Sequence, residues 1–369
     1  MQTRPIDNLR TLLDGGAPAW IPFSLDVGAI PGFSEPIRRR FREITGAESP
    51  AEYFGADIRT FSLAARFGGE DPAAMHEAVA PGATFDEWGI GHWAGGLEGT
   101  PDRTYPPLAR ADSVQEVEAL PSPVIQSPVD TSVVDAHHAA GHPVFGYAGS
   151  IYEWSWWVRG MERFLADMVS DPVLAEAVIR KIEEHTTRLA IATARAGIDV
   201  LCFYDDAGMQ RGMQISPGLW RKFVRPAWSR VLEAVRKEAH GTRFFLHSCG
   251  KIEPIIPDVI ELGFHILHPV QPECMDFATV HREYGNEIVL AATISSQKVF
   301  PFGSAEDVRR EVRRLADVVG PGRRCILMPS NVIQPETPWE NIVAFAEQSQ
   351  ALRGIPVSGE EVRCSGTNT

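Results

Sequence analysis

The chain has 369 residues, and its hydrophobic fraction of 44% is ample for a packed core. Its 35 Lys and Arg against 48 Asp and Glu give a formal net charge of −13, which argues against nucleic acid as the main partner because phosphate binding needs clustered cations. No window offers about 18 uninterrupted apolar residues, so we expect no membrane span. Residues 1–16 contain no apolar run, so we expect no signal peptide. Five scattered cysteines are typical of a reducing cytoplasm rather than of a disulfide framework.

Short apolar runs alternate with longer helical patterns, as in a parallel sheet built from βα units. Ser216 and Pro217 predict the start of a helix that Pro226 kinks or restarts, and residues 305–319 predict a charged amphipathic helix. Eight runs predict strands, at residues 21–25, 57–63, 143–147, 199–203, 243–246, 265–267, 287–292 and 325–328. Eight strands alternating with helices predict an α/β fold, a single (β/α)8 TIM-type barrel.

Residues 64–142 separate the second and third predicted strands. Within them, residues 83–96 have the pattern of a β-hairpin, so we interpret the segment as an insertion over the barrel mouth rather than as a separate domain. We predict a barrel domain over residues 1–355 and a flexible, polar tail over residues 356–369. An open doubly wound sheet is the structural alternative, but no Gly-x-Gly-x-x-Gly follows a strand and opens a helix.

Polar residues follow five consecutive predicted strands, and in a barrel these positions share the C-terminal mouth, where active sites lie. Trp154 and Trp156, which follow the third predicted strand, could wall an apolar or aromatic substrate pocket or pack the top of the barrel. Each polar residue could equally be an ordinary loop residue. The candidates for contact with a small-molecule substrate are Trp154, Trp156, Gln210, Arg211, His268, Gln271 and Asn331.

His247 and Cys249 follow the fifth predicted strand. Residues two apart on an extended segment point to the same side, so an imidazole and a thiolate could converge on one ion here. Zinc accepts this mixed nitrogen and sulfur set, and a catalytic zinc site keeps one position open. In the alternative interpretation, His247 hydrogen-bonds a carbonyl group and Cys249 is a small buried hydrophobic residue.

Asp205 and Asp206 come after the fourth predicted strand and Tyr204, and we regard both as candidate catalytic residues. An acid whose pKa is raised by its neighbour could donate a proton or bind a metal. The pair could instead turn the chain by hydrogen-bonding nearby backbone. Because consecutive strand residues point to opposite faces, we expect at most one of the two to face the mouth.

Five segments taken together resemble the uroporphyrinogen decarboxylase superfamily, over about residues 8–353. The resemblance implies a (β/α)8 barrel with its cleft at the C-terminal mouth, in agreement with the strand count. The segments are residues 159–165, 205–210, 215–217 with Phe223 and Pro226 after them, 247–250, and 337–342.

The superfamily contains metal-free decarboxylases, which hold the carboxylates of their substrate with arginines from an N-terminal segment. Residues 20–28 stand at that segment and contain no arginine. Trp156 stands at the position of the family's catalytic tyrosine, and Asn331 at that of its late histidine. These departures argue against decarboxylation of a porphyrinogen.

A second branch contains methylcobamide:coenzyme M methyltransferases and related corrinoid enzymes, which the chain resembles more closely. That resemblance implies zinc bound by His247, Cys249 and a later cysteine. Asn331 stands at the position of the later cysteine, so the third ligand is open. Asp206, or an amide such as Gln271, could replace it.

The resemblance therefore implies zinc-dependent transfer of a methyl group to a thiol or another nucleophile. The donor would be a corrinoid supplied by a partner protein, or a methoxylated or methylated small molecule. The alternative is a metal-free decarboxylase or lyase for a carboxylated substrate such as a tetrapyrrole, with Arg59 and Arg211 as carboxylate-binding residues. A non-enzymatic partner of a corrinoid carrier is a third interpretation, which the dense polar set at the mouth argues against. We expect a cytoplasmic protein, which could form a homodimer.

Overall fold

The computed structural model describes residues 3–94 and 103–354. Its strands are β1 Arg59–Phe61, β2 Ala65–Arg66, β3 Thr84–Phe85, β4 Gly91–Trp93, β5 Arg103–Tyr105, β6 Val124–Ile125, β7 Val144–Tyr147, β8 Val200–Tyr204, β9 Arg243–His247, β10 Ile266–His268, β11 Val289–Ile294 and β12 Cys325–Pro329. Its α-helices are α1 Pro5–Leu13, α2 Glu35–Thr45, α3 Pro50–Tyr53, α4 Val114–Ala119, α5 Ser132–Ala139, α6 Tyr152–Arg159, α7 Met161–Ser170, α8 Pro172–Arg195, α9 Pro217–Phe223, α10 Arg225–Glu238, α11 Ile256–Leu262, α12 Phe277–Tyr284, α13 Val299–Phe302, α14 Ala305–Val319 and α15 Trp339–Ala351.

A parallel sheet in the order β1-β7-β8-β9-β10-β11-β12 forms the centre of the fold. The segment around Phe23 joins its two edges: the Ser24 N–H donates to Leu327 O on the last strand over 2.9 Å, and the Asp57 N–H donates to Phe23 O over 3.0 Å just before the first strand. The chain therefore forms the predicted (β/α)8 barrel. The first of the eight predicted strands is reduced to one parallel bridge between Phe23 and Leu327.

Side chains alternate along the barrel strands, as the period of two in an extended chain requires. On β8, Val200, Cys202 and Tyr204 belong to one buried cluster, which fills the barrel interior. Leu201 and Phe203 belong to a second cluster, which packs the outside of the strands against the helices. The apolar runs that predicted strands are thus buried on both faces, which is typical of parallel sheets covered by helices.

The helix predicted to begin at Ser216 is divided in two. The Ser216 hydroxyl oxygen accepts the Leu219 N–H over 3.2 Å and caps α9. After α9 ends at Phe223, α10 begins anew with Pro226 in its first turn. The prediction of a break at Pro226 is confirmed, because proline lacks the N–H that an uninterrupted helix needs.

The segment between β1 and β7 contains a small antiparallel sheet, β3-β4-β5. Strands β3 and β4 pair with Thr84 opposite His92, so the predicted hairpin is confirmed over residues 83–94, whereas residues 95 and 96 lie outside the described ranges. Trp88 at its turn packs edge-on against Trp154 with ring centroids 5.8 Å apart. That the segment is an insertion stays a prediction, as does the division at residue 355, because residues 355–369 lie outside the described ranges. No helix of the described residues is both long and apolar enough to cross a membrane.

Candidate metal centre

The loops after β8 and β9 are in backbone contact at the barrel mouth. Tyr204 and His247, the last residues of the two strands, are register partners. Gly250 has a φ of 86°, and a Cβ atom on it would lie 2.4 Å from the carbonyl carbon of Gly208. The backbones of the two loops are therefore so close that only glycine fits at this position. The Gly208 N–H donates to Cys249 O over 3.2 Å. This contact holds the Cys249 loop against the loop that follows β8.

Three side chains of different chemistry converge where these loops meet. His247 Nε2 lies 3.3 Å from Cys249 Sγ and 3.5 Å from Asp206 Oδ1, and one ligand atom from each residue lies within 4.8 Å of the others. The Cys249 N–H donates to Asp206 Oδ1 over 2.8 Å, which fixes the carboxylate beside the thiol. Imidazole nitrogen, thiolate sulfur and carboxylate oxygen are the donor types that zinc takes.

Burial disfavours the charged forms of all three groups. It lowers the pKa of His247 to about 3 and raises the pKa of Asp206. It also raises the pKa of the Cys249 thiol, and the Asp206 and Glu153 carboxyls raise that pKa further. None of the described groups that shift these three pKa values is a lysine or an arginine. A divalent cation would supply the missing positive charge and favour the thiolate and carboxylate, so the donor set fits a metal.

A second histidine lies directly behind His247. The Nδ1 atoms of His247 and His268 are 2.8 Å apart, and His268 Nε2 lies 2.9 Å from the carbonyl oxygen of Pro329. The side chain of His268 is fully buried and both of its ring nitrogens have partners, so His268 supports His247 from inside the barrel. Contact between His268 and a substrate stays a prediction.

The two adjacent aspartates have separate surroundings, as the alternation of strand residues predicts. Asp206 lies beside His247 and Cys249, whereas Asp205 is buried and accepts hydrogen bonds from the Ser150 hydroxyl over 2.7 Å, the Glu153 N–H over 2.9 Å and the Trp228 indole N–H over 2.8 Å. Burial raises the pKa of Asp205 to about 6, and these hydrogen bonds oppose that rise. The hydrogen bonds that Asp205 accepts hold the start of α6, which favours a structural role, and the catalytic role of Asp205 stays a prediction.

Glu153 lies beside the centre and was not singled out from the sequence. Its Oε2 atom lies 3.4 Å from the Asp206 backbone nitrogen, and its Oε1 atom accepts the Trp157 indole N–H over 3.2 Å. Burial, and then the Asp206 carboxyl, raise the pKa of Glu153 to about 8. The sequence feature that could have indicated Glu153 is an acidic residue among aromatic residues, shortly after the third predicted strand.

Aromatic rings form one side of the mouth. The Trp154 ring lies 6.4 Å from Tyr147 and 5.8 Å from Trp88, measured between centroids. Trp156 stacks on Trp157 at 4.7 Å. Trp154 and Trp156 are both partly buried, as expected of residues that pack the barrel top, and their contact with a substrate stays a prediction.

Two predicted amide residues differ in their relation to the centre. Gln271 is buried, and its Oε1 atom accepts the Gly250 N–H over 2.7 Å. Asn331 is exposed, and its Nδ2 group donates to Cys249 Sγ over 3.5 Å. Asp206 rather than Gln271 therefore joins His247 and Cys249, because the Gln271 oxygen is occupied in supporting the loop.

Among the described residues, no hydrogen bond joins the remaining predicted polar residues to the three donor atoms. Gln210 and Arg211 are exposed in the loop after β8. Arg59 begins β1 rather than ending a strand, and its Nη1 group donates to Ala56 O over 2.8 Å and Ile58 O over 3.1 Å. The buried Arg59 guanidinium is thus directed to backbone carbonyls, which argues against the carboxylate-binding role predicted for it.

Comparison with known proteins now identifies the family. The sequence profile described as "Uroporphyrinogen decarboxylase (URO-D)" matches residues 89–352, well over half of the chain. The chain belongs to the uroporphyrinogen decarboxylase family. This confirms the resemblance drawn from the five segments.

Members of the family with different activities are similar to this chain. It is 28% identical over 201 residues to the methylcobamide:CoM methyltransferase MtaA of Methanosarcina barkeri, and this match covers 51% of this chain and 56% of that protein. It is also 28% identical over 221 residues to the uroporphyrinogen decarboxylase of Thermus thermophilus, which covers 57% of this chain and 60% of that protein. The matches therefore span less than two thirds of each relative's length.

The fold of this family member is also that of a solved structure. A methyltransferase from Methanosarcina mazei superposes with a TM-score of 0.64 at 17% sequence identity, covering 95% of this chain and 99% of that one. At this identity the likeness concerns the fold, and it supports the barrel described above.

Proposed function

We propose that this uroporphyrinogen decarboxylase-family protein is a zinc-dependent methyltransferase whose metal is held by His247, Cys249 and Asp206. The convergence of their three donor atoms within 4.8 Å carries the proposal. Zinc bound there would act as a Lewis acid that lowers the pKa of a thiol or other nucleophile in the open position. Asp206 takes the place of the later cysteine implied by the resemblance, and it makes the donor set harder than a two-thiolate set.

The surrounding residues prepare this site for a bound nucleophile and a methyl donor. The Cys249 backbone N–H orients the Asp206 carboxylate, and the Asn331 amide donates to the Cys249 sulfur. Asp205 holds the start of α6, the helix that carries Trp154. The tryptophan ring would exclude water from one side of the donor.

The donor is a corrinoid supplied by a partner protein, or a methoxylated or methylated small molecule. The name of the Methanosarcina barkeri relative, a methylcobamide:CoM methyltransferase, supports a corrinoid donor and a small acceptor. The exposed loop residues Gln210 and Arg211, beside the centre in sequence, would contact these substrates.

Metal analysis of protein purified without chelator tests the proposal. We expect about one equivalent of zinc in the unaltered protein and a large loss in His247→Ala, because removal of one of three protein ligands opens the site. His265→Asn is a matched control, since His265 lies at the opposite end of the strand region that carries His268. Zinc far below one equivalent, and equal in all three proteins, would refute the proposal.

A metal-free decarboxylase or lyase for a carboxylated substrate is the second candidate, and the Thermus thermophilus relative supports it. It requires cationic side chains at the mouth. Of the two arginines predicted to bind carboxylate, Arg211 is the exposed one. This candidate predicts severe loss of activity in Arg211→Ala and none on metal removal. The methyltransferase proposal predicts that metal removal lowers activity severely and that Arg211→Ala lowers it less.

A further inference from the structure

Two buried histidines from neighbouring strands meet at the base of the metal centre. We propose that His268 is a positioning residue that determines which ring nitrogen of His247 is free to bind a metal. The inference rests on the proposed function for its metal, whereas the contacts from which it is argued join protein atoms alone. The Nδ1 atoms of the two rings lie 2.8 Å apart, and His247 Nε2 faces Cys249 Sγ at 3.3 Å.

The position of each proton follows from a chain of donors and acceptors. The Pro329 carbonyl oxygen can accept but not donate, so the 2.9 Å contact with His268 Nε2 places a hydrogen on that nitrogen. In a neutral ring His268 Nδ1 is then an acceptor. The hydrogen in the 2.8 Å contact between the rings must therefore come from His247 Nδ1. This leaves His247 Nε2 with a free lone pair directed at Cys249 and Asp206.

The opposite arrangement would require a charged ring in the barrel interior. His268 could donate to His247 only as an imidazolium that still donates to Pro329. His268 is fully buried, and its hydrogen-bond partners among the described residues, His247 and the Pro329 carbonyl, include no carboxylate. An unpaired buried charge is far more costly than a neutral hydrogen-bonded ring. The neutral chain is therefore the favoured one.

An aromatic ring packs against each of the two histidines and favours this arrangement, stacked on His268 and tilted over His247. The Phe245 ring lies over His268 with centroids 5.4 Å apart and planes 25° from parallel. Tyr204 covers His247 at 5.3 Å. A metal-binding histidine commonly donates its other N–H to a neighbouring acceptor, which sets its tautomer. Here that acceptor is a second histidine, held by packing before any metal binds.

Two substitutions at one position separate the two hydrogen bonds. The oxygen of an asparagine can occupy the place of histidine Nδ1, whereas the amide group of a glutamine reaches the place of Nε2. We expect His268→Asn to keep the acceptor for His247 and to bind zinc within about threefold of the unaltered protein, and His268→Gln to lose about 10- to 100-fold in affinity. Competition with a chromogenic chelator measures these affinities on the full chain, with His265→Asn as the control for a partly buried histidine outside the site.

The tautomer is measured independently on the metal-free protein, through the two-bond couplings of ¹⁵N-labelled histidine. We expect His247 to carry its proton on Nδ1 in the unaltered protein and in His268→Asn, and to shift toward Nε2 in His268→Gln. A proton on His247 Nε2 in the unaltered protein, or equal zinc affinity of the folded Asn and Gln variants, would overturn the inference. If the unaltered protein binds no zinc, the proposed function fails, and the coupling measurement still decides the tautomer.

Discussion

The indole N–H of Trp228 donates a 2.8 Å hydrogen bond to the Asp205 carboxylate. Trp228 lies on α10, outside the barrel, and Asp205 directly follows β8, so the bond joins the helical layer to the first residue of a mouth loop. The other carboxylate oxygen accepts the Ser150 hydroxyl and the N–H groups of Ile151 and Glu153. One buried carboxylate thus links β8, α10 and the start of α6.

Asp205 and Asp206 should respond oppositely to the same substitution. Asp205→Asn places an amide donor among buried donors, so we expect the free energy of unfolding to fall by about 2–3 kcal/mol. Asp206→Asn should change it by less than about 1 kcal/mol in the metal-free protein but remove tight zinc binding, because a carboxylate ligand is lost. Urea unfolding and a zinc titration measure the two quantities. Loss of zinc binding in Asp205→Asn, with stability unchanged, would contradict this division.

Substitution of Gly250 should be costly because a Cβ atom there would clash with Gly208. Gly241 has a similar φ without the clash, so it serves as the comparison. Gly250→Ala combines a φ of 86° with a Cβ atom 2.4 Å from Gly208, whereas Gly241→Ala has a φ of 88° and nothing within 4 Å. We expect Gly241→Ala to cost about 1–2 kcal/mol for the left-handed backbone alone, and Gly250→Ala to cost more and to weaken zinc binding. Urea unfolding of both variants checks the difference. Equal costs would show that backbone contact between the two loops is unimportant.

His265 should make the protein less stable in mild acid. Burial, followed by Arg243 and Arg236, lowers the pKa of His265 to about 4, and its Nδ1 atom accepts the Phe244 N–H over 3.1 Å. In the unfolded chain the pKa returns to near 6.5, so the unfolded state binds more protons between these values. Stability should therefore fall as the pH drops from about 6.5 to about 4, and level off for this group below that.

His265→Asn tests this pH dependence, because its amide oxygen can accept the Phe244 N–H without titrating. We expect the unfolding free energy of the variant to change less steeply between pH 6.5 and 4, by up to one proton's contribution to the slope. Urea unfolding at a series of pH values measures it. An unchanged slope would show that His265 is as readily protonated in the folded protein as in the unfolded chain.

Local patterns in the sequence were enough to predict the barrel and part of the centre. Apolar runs separated by helical stripes indicated the strands, and Ser216 with Pro226 located a helix start and a break. The spacing of His247 and Cys249 placed their side chains on the same side, and the structure has His247 Nε2 3.3 Å from Cys249 Sγ. Each of these predictions depends on residues close together in the chain, where backbone geometry alone decides the outcome.

The tertiary structure decided which distant residues lie together at the proposed site. Whether Asp206 or Gln271 joins the centre, and whether Asp205 or Asp206 faces it, depends on how β8, β9 and β10 are staggered in the closed barrel. The positions of His268 behind His247 and of Glu153 beside Asp206 depend on the same stagger. Sequence periodicity specifies the face of a strand on which a side chain lies, whereas the neighbour that it meets is set by closure of the barrel and the packing of its interior.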